Sequence, residues 1–573
     1  MGCGKSLNED SIENSIKSSD NTSDNTSVGA SPSVYKIQAK QQMMPMTPSE
    51  IASAVNGELY TSDCNNASED FEESIATSVF TDSRQVRLGS VFVAIAGEHV
   101  DGHDYVSMAE RYGALVAIVE HLVPGVNIAQ IVVKNCVEAL GLLAKHNLQL
   151  RRQLPEPFTI IGITGSVGKT TTKDMLNALL STFGETVAPI GSFNNEIGLP
   201  LTALKVGSST RFLIAEMGAN HVGEIAGLTR IAPPDIAVVL KVGVAHLGEF
   251  GSVERIAQAK SEIVQGLVPG GIAVLNADDQ HVKAMDALVD NSHARWFGKN
   301  TENGLLEGAR EGEYQLYASD VELNTLGKPI FTLNEVNNSE IDEINENSNN
   351  SKKRVTKVAN KVQVRLSIQG EHNVMNALAA ANVARYLGMD LSDIAEGLRK
   401  VSRISPHRMQ LSLVSRKNKN FILIDDSFNA NPDSVKAGID GLCAYERNDK
   451  SQPSALFRIA VLGSMLELGK NEYELHTGVG DYAARAPLDA IIAVGSPTDD
   501  HLNSLSSWIY DGAHYYLASN KAENDKVLHW VRSIDEADEI VWKLVAEHPS
   551  SVVLLKGSHA SGLSALADRW TKN

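Results

Sequence analysis

The stretch Phe158-Thr159-Ile160-Ile161-Gly162-Ile163-Thr164-Gly165-Ser166-Val167-Gly168-Lys169-Thr170-Thr171-Thr172 constrains this chain more than any other. Its apolar, β-branched opening reads as a buried strand, and Pro155 and Pro157 punctuate the chain just before it. The glycines that follow let backbone N–H groups converge on a phosphate. A helix read as starting near Lys173 adds the positive end of its dipole. Lys169 is placed to reach the β- and γ-phosphates of a nucleoside triphosphate, and a hydroxyl after it to bind Mg²⁺. Ile163 stands where the strict G-x-x-x-x-G-K-[ST] pattern has its first glycine, so the spacing departs from that pattern while the strand, turn and helix remain. The expected ligand is a mononucleotide triphosphate.

A chain of 573 residues exceeds what one hydrophobic core supports, and three globular units are expected. Residues 1–45, mostly Ser, Asn, Asp, Thr and Lys, read as a disordered polar tail. Residues 46–155, with apolar runs at 91–95 and 115–119, read as a small α/β domain. Residues 156–402 form the phosphate-binding domain, with further buried strands at 212–215, 236–240 and 271–275 and a largely parallel sheet. The low-complexity stretch 334–354 reads as a polar surface insertion. After a helix over 373–387, the residues Ile404-Ser405-Pro406-His407-Arg408 read as a hinge into residues 403–573. There, strands at 421–424, 458–462, 490–494 and 551–555, separated by helices, predict a doubly wound, Rossmann-like domain whose ligands lie beyond the carboxyl ends of the strands.

A net charge of −19 argues against a broad nucleic-acid footprint, which needs clustered Lys and Arg. Cys3, Cys64, Cys136 and Cys443 have neither metal-type nor redox-type spacing, which fits a reducing cytoplasm. No run approaches the roughly 18 to 20 apolar residues of a membrane helix, and no integral membrane segment is expected. The opening Met1-Gly2-Cys3-Gly4-Lys5-Ser6 matches a myristoylation pattern and holds a GKS triplet, but no strand precedes it and neither use is expected.

Two further residues belong at the phosphate-bearing edge of the sheet. Glu216 follows the run 212–215, and His246 follows 236–240 after a short turn, so a carboxylate and an imidazole are available there for a divalent metal.

Several motifs then occur in a fixed order: Thr164-Gly165-Ser166-Val167-Gly168-Lys169-Thr170, Asn194-Asn195-Glu196-Ile197-Gly198, the Glu216 segment, Gly243-Val244-Ala245-His246, and Gly370-Glu371-His372-Asn373-Val374-Met375-Asn376-Ala377. Together they resemble the Mur ligases, from about residue 46 to 570. The resemblance implies a three-domain α/β architecture, with a central P-loop-type ATPase domain and a Rossmann-like C-terminal domain. The segment Asp425-Asp426-Ser427-Phe428-Asn429-Ala430-Asn431-Pro432-Asp433-Ser434 is similar to that of the family branch that adds D-alanyl-D-alanine to UDP-N-acetylmuramoyl-tripeptide in peptidoglycan synthesis, using ATP and Mg²⁺. Other Mur or folylpolyglutamate-type amide ligases, or a non-catalytic nucleotide switch, are the alternatives.

Carried over by motif, the resemblance implies that residues Thr164, Gly165, Ser166, Val167, Gly168, Lys169, Thr170 and Thr171 hold ATP phosphates, with Lys169 on the transferring group. Asn373, Asn376, Arg408 and Asp426 complete the ATP site. Thr170 and Glu216 would hold one Mg²⁺ and His246 would stand near a second. Lys260 resembles the family lysine that is carbamylated; its ammonium would repel metal, whereas a CO₂-derived carbamate offers anionic oxygen. Ser83 and Arg84 resemble part of the uridine-nucleotide platform, as do residues 96–103. Asn194 and Asn195 would face the muramoyl substrate, and Asn429, Asn431, Ser434 and Lys556 the peptide or dipeptide. His559 stands where the family pattern has Arg. A monomer is expected.

Overall fold

The structure, a computed structural model, describes residues 42–572 except 62–70, 72, 98–99, 244–246, 290–292, 300, 303–304, 307–312, 337–359, 402–404, 417, 446–455 and 521–524. The N-terminal myristoylation pattern and most of the expected tail lie outside the described residues. Met43 and Met46 are buried and the Met43 N–H bonds the Thr77 carbonyl at 2.9 Å, so ordered packing starts before residue 46.

Strands covered on both faces need continuous apolar runs, and the runs in the central part of the chain form such strands. Its nine-stranded sheet has the spatial order Asn360–Arg365, Pro329–Val336, Tyr314–Leu323, Ala294–Gly298, Ile272–Asn276, Ile236–Val239, Thr159–Thr164, Phe212–Glu216, Thr186–Val187. Tyr314–Leu323, Pro329–Val336 and Asn360–Arg365 pair antiparallel with one another, and every other pairing is parallel. The expected insertion therefore begins later than residue 334. Asn334 and Glu335 are paired on both sides and Val336 on one, and the buried Glu335 carboxylate accepts bonds from Tyr314, Asn360 and Arg385. Residues 337–354 lie outside the described ones.

The C-terminal sheet has the order Gln410–Arg416, Lys419–Asp426, Ser551–Lys556, Phe457–Gly463, Ala490–Val494, Val527–Val531, parallel except for the hairpin at its edge. Helices Pro432–Ala444, Glu472–Arg485 and Asp500–Ser519 pack one face; Ile534–Glu547 and Leu563–Thr571 pack the other. The domain is doubly wound, as read from the sequence.

The first sheet has five short strands: Glu58–Tyr60, Ala129–Val132, Val116–Val119, Val91–Val93 and Val79–Phe80. It is joined to the central domain through helix Cys136–Arg152, and a single apolar core runs across both. Buried Asn147 donates to the carbonyls of Ala203 and Val206, each at 3.0 Å, and accepts the Met44 N–H at 2.8 Å. Arg151 donates to the carbonyls of Thr210, Glu156 and Pro157. A buried polar group left unbonded costs free energy, so these bonds fix how the helix seats.

Candidate active site

The phosphate loop owes its shape to Gly168, whose φ of +86° is a left-handed conformation that side chains resist. A Cβ at this position would also collide with Asn376 Oδ1. Gly168 caps helix Lys169–Leu180, which starts four residues earlier than the sequence predicts. The run Thr170–Thr172 is thus first-turn helix and not loop, with Gly168 making the sharp entry. Lys169 folds back to donate to the Gly165 carbonyl at 2.7 Å. Withdrawal from water lowers the pKa of its ammonium, the positive charge of Arg408 acts in the same direction, and Glu216 opposes both.

Parallel register puts Glu216 beside Ile163, one residue short of the end of the phosphate-loop strand. Its fully buried carboxylate accepts from the Thr170 hydroxyl at 3.0 Å, the Ser192 hydroxyl at 3.1 Å and the Asn194 amide at 3.0 Å. Among the described residues, no Lys, Arg or His lies within ion-pair distance of it. A buried anion held only by neutral donors is suited to a cation. Among the described residues, no three His, Cys, Asp or Glu side chains gather as a metal site. This donor set fits Mg²⁺, which binds through one or two carboxylates, waters and substrate phosphates. His246 lies outside the described residues.

Arg408 reaches the same cluster from the C-terminal domain. Its Nη2 donates to Ser192 at 3.2 Å, and its guanidinium lies 4.4 Å from the centre of the Phe428 ring. Register also places Asp426 directly opposite Lys556 at the ends of neighbouring parallel strands, and their side chains pair at 2.6 Å. Lys556 donates to the Asn429 carbonyl as well, at 2.9 Å. Asn431 and Ser434 form a reciprocal capping box at the start of helix Pro432–Ala444. On the central side, Asn373 and Asn376 are bonded to each other at 2.8 Å, and the Thr172 hydroxyl donates to Asn376 at 3.4 Å.

These elements enclose a cavity of about 640 Å³. Ser166 to Thr171, Asn194, Glu216, Asn373, Asn376, Arg408, Asp426, Asn429, Asn431, Ser434 and Lys556 all line it. Sequence reasoning missed Ser192, Phe297, Lys299 and Phe428, which also line it. Nothing in a lone Ser or Phe marks such a role; the one local signal for Ser192 is that it stands two residues before the Asn194-Asn195 pair, which does not by itself assign it a contact.

Other expected residues lie elsewhere. Thr164 and Gly165 are buried beneath the loop. Asn195 is occupied locally, accepting the Gly198 N–H at 2.9 Å. Ser83 is buried against Met108, and Arg84 is exposed and paired with Asp82 at 2.8 Å, both on the first domain. Lys260, on helix Val253–Gln265, is 3% exposed and has no hydrogen-bond partner among the described residues. Burial, with the nearby charge of Lys169, lowers its pKa to about 7, so a large neutral fraction is present near neutrality.

Comparison with known proteins bears on this arrangement. Residues 76–147 match the Mur ligase family catalytic domain, residues 163–384 the Mur ligase middle domain, and residues 407–559 the Mur ligase glutamate ligase domain. The UDP-N-acetylmuramoyl-tripeptide--D-alanyl-D-alanine ligase of Mycobacterium tuberculosis is 36% identical over 547 residues, 92% of this chain and 98% of that protein. The crystal structure of MurF from Acinetobacter baumannii superposes with a TM-score of 0.71 at 28% identity, covering 93% of this chain and all of that one. MurF from Thermotoga maritima, solved in complex with ADP, gives a TM-score of 0.64 at 27% identity over 86% of this chain and 97% of that one. With the motifs, the three-domain architecture and relatives matched along nearly their whole length, the chain belongs to the Mur ligase family.

Proposed function

We propose that this chain joins D-alanyl-D-alanine to UDP-N-acetylmuramoyl-tripeptide at the expense of ATP, giving UDP-N-acetylmuramoyl-pentapeptide for peptidoglycan synthesis. The observation that carries the reading is the cavity shared by two domains, in which Lys169, Arg408 and the buried Glu216 converge on a glycine-rich phosphate loop. The substrates follow from the names of the relatives matched along almost the full chain.

A carboxylate is a poor electrophile. One oxygen of the tripeptide carboxylate attacks the γ-phosphorus of ATP, the bond to the β-phosphate oxygen breaks, and ADP leaves. The neutral dipeptide amine then attacks the acyl carbon, the tetrahedral intermediate expels inorganic phosphate, and the amine gives up a proton. Such a sequence depends on positioning and charge neutralisation more than on covalent help from the protein. Lys169 and Arg408 bring positive charge to the transferring group from opposite domains. Thr170 and Glu216 would hold Mg²⁺, which when bound neutralises phosphate charge. Asn194 holds Glu216 from the substrate side, while Asn373 and Asn376 brace the loop beneath the nucleotide. A carbamate on Lys260 would add an anionic oxygen near the same centre; the depressed pKa of its secluded amine suits addition of CO₂. Asn429, Asn431, Ser434 and Lys556 form the C-terminal wall available to the peptide substrates. Closure of the two domains over bound substrates would exclude water that hydrolyses an acyl phosphate.

The enzyme acts in the cytoplasm, where ATP and UDP-linked sugars are available, and we take the monomer as its working unit. No helix among the described residues is long and apolar enough to cross a membrane. The test is phosphate release from ATP with UDP-N-acetylmuramoyl-tripeptide, offered D-Ala-D-Ala, single amino acids or no amine, with mass detection of products. Release that depends on the dipeptide, with the pentapeptide mass, is expected. Product with glutamate or another single amino acid would reassign the chain to a different amide ligase, and release with no product would favour an ATPase switch.

A further inference from the structure

Lys173 and Asp174 stand one helical turn beyond Lys169, and the reaction described above uses neither. Lys173 is only 2% exposed, yet it carries an ammonium with three donors to satisfy. It donates to the carbonyls of Pro189 at 3.1 Å and Gly191 at 3.3 Å, and to the Ser405 hydroxyl at 3.2 Å. Its ammonium also lies 2.6 Å from Asp174 Oδ1, while Asp174 Oδ2 accepts the Ser405 backbone N–H at 2.7 Å. Successive residues on a helix do not face each other, so this pairing is brought about by the shared target, the backbone and side chain of Ser405.

The partners make the arrangement functional. Gly191 precedes Ser192, whose hydroxyl contacts Thr170 and Glu216 and accepts from Arg408. Ser405 lies three residues before Arg408. The segment 189–192 and the hinge 405–408 are therefore tied at two points, by Lys173 and Asp174 at one end and by the Ser192–Arg408 bond at the other. The helix of the phosphate loop closes the ring. We propose that the Lys173–Asp174 pair locks the hinge onto the phosphate loop and so sets Ser192 and Arg408 against the transferring phosphoryl group. Lys173 is a positioning residue acting through them, and this role rests on the reading that the cavity transfers a phosphoryl group from ATP.

The test uses the full chain, parent and variants, with kcat, KM for ATP, melting temperature and ADP affinity with and without Mg²⁺. Lys173→Met keeps the apolar stem and removes the donors. It is expected to lower kcat about 10- to 100-fold, the scale of an ångström-level misplacement, with a far smaller change in KM. Ser405→Ala is expected to lower kcat less, and the double variant to be no worse than Lys173→Met alone, because the two act through one contact. Parental kcat per folded molecule in Lys173→Met, whatever its melting temperature, would overturn the proposal, as would strictly additive losses in the double variant. Should Lys173→Met not fold, Ser405→Ala and Asp174→Asn carry the test, and parental kcat in both would overturn it. A parent that makes no peptide product would instead sink the substrate reading. In that case the clamp is judged on ADP binding: loss of the Mg²⁺-dependent part in Lys173→Met supports it, and parental binding overturns it.

Discussion

Lys260 is a lysine buried without an acceptor among the described residues, and its pKa of about 7 has a direct consequence. Below that pH the amine is protonated and cannot add CO₂; above it the neutral amine can. Activity in bicarbonate-containing buffer is therefore expected to rise as pH increases through about 7 and to fall away below it. Lys260→Ala should lose activity that bicarbonate does not restore and that short carboxylates partly rescue. A flat profile between pH 6 and 8 together with an active Lys260→Ala would remove the carbamate from the account. At this scale, much of the site was legible. Lys169, Thr170 and Glu216 follow from a glycine-rich turn and from the residue that ends a neighbouring strand. Ser192, Lys173 and Phe428 were not legible, because their roles depend on contacts to residues 20 to 230 positions away that no local pattern encodes.

Among elements, the parallel strands were readable because burial on both faces demands unbroken apolar runs. Gln410–Arg416 and Asn360–Arg365 were not, since these edge strands are mostly exposed and polar. Helix Pro432–Ala444 carries an element-scale prediction. Asn431 caps it, with its Oδ1 accepting the Ser434 N–H at 2.9 Å, while the same residue lines the cavity. Asn431→Ala is expected to cost about 1 kcal/mol of stability through the cap alone. Asn431→Ser retains a capping oxygen and should recover most of that stability. Denaturant midpoints of the two variants give the comparison, and equal midpoints for Ala and Ser would rule out the cap as the cause.

For the whole molecule, the sequence reads a hinge at 404–408, of which residues 405–408 are described and lead into the C-terminal sheet, while the way the first two domains join was not read from it. Pro155 and Pro157 suggest a break there, while the core and the buried bonds of Asn147 and Arg151 run straight across it. A second contact between the central and C-terminal domains lies where Gly248 donates to the Glu467 carbonyl at 3.1 Å and packs against Gly469, whose φ is +70°. A side chain on Gly469 would collide with Gly248 and strain the backbone by about 1–3 kcal/mol. Gly469→Ala is thus expected to hinder closure and lower kcat, whereas parental kcat would show that this contact is not part of the closed state. The central claim, amide ligation through an acyl phosphate in the shared cavity, is tested most directly with UDP-N-acetylmuramoyl-tripeptide labelled with ¹⁸O in its reacting carboxylate. One labelled oxygen is expected to appear in inorganic phosphate for every pentapeptide formed. Phosphate free of label while pentapeptide accumulates would contradict it.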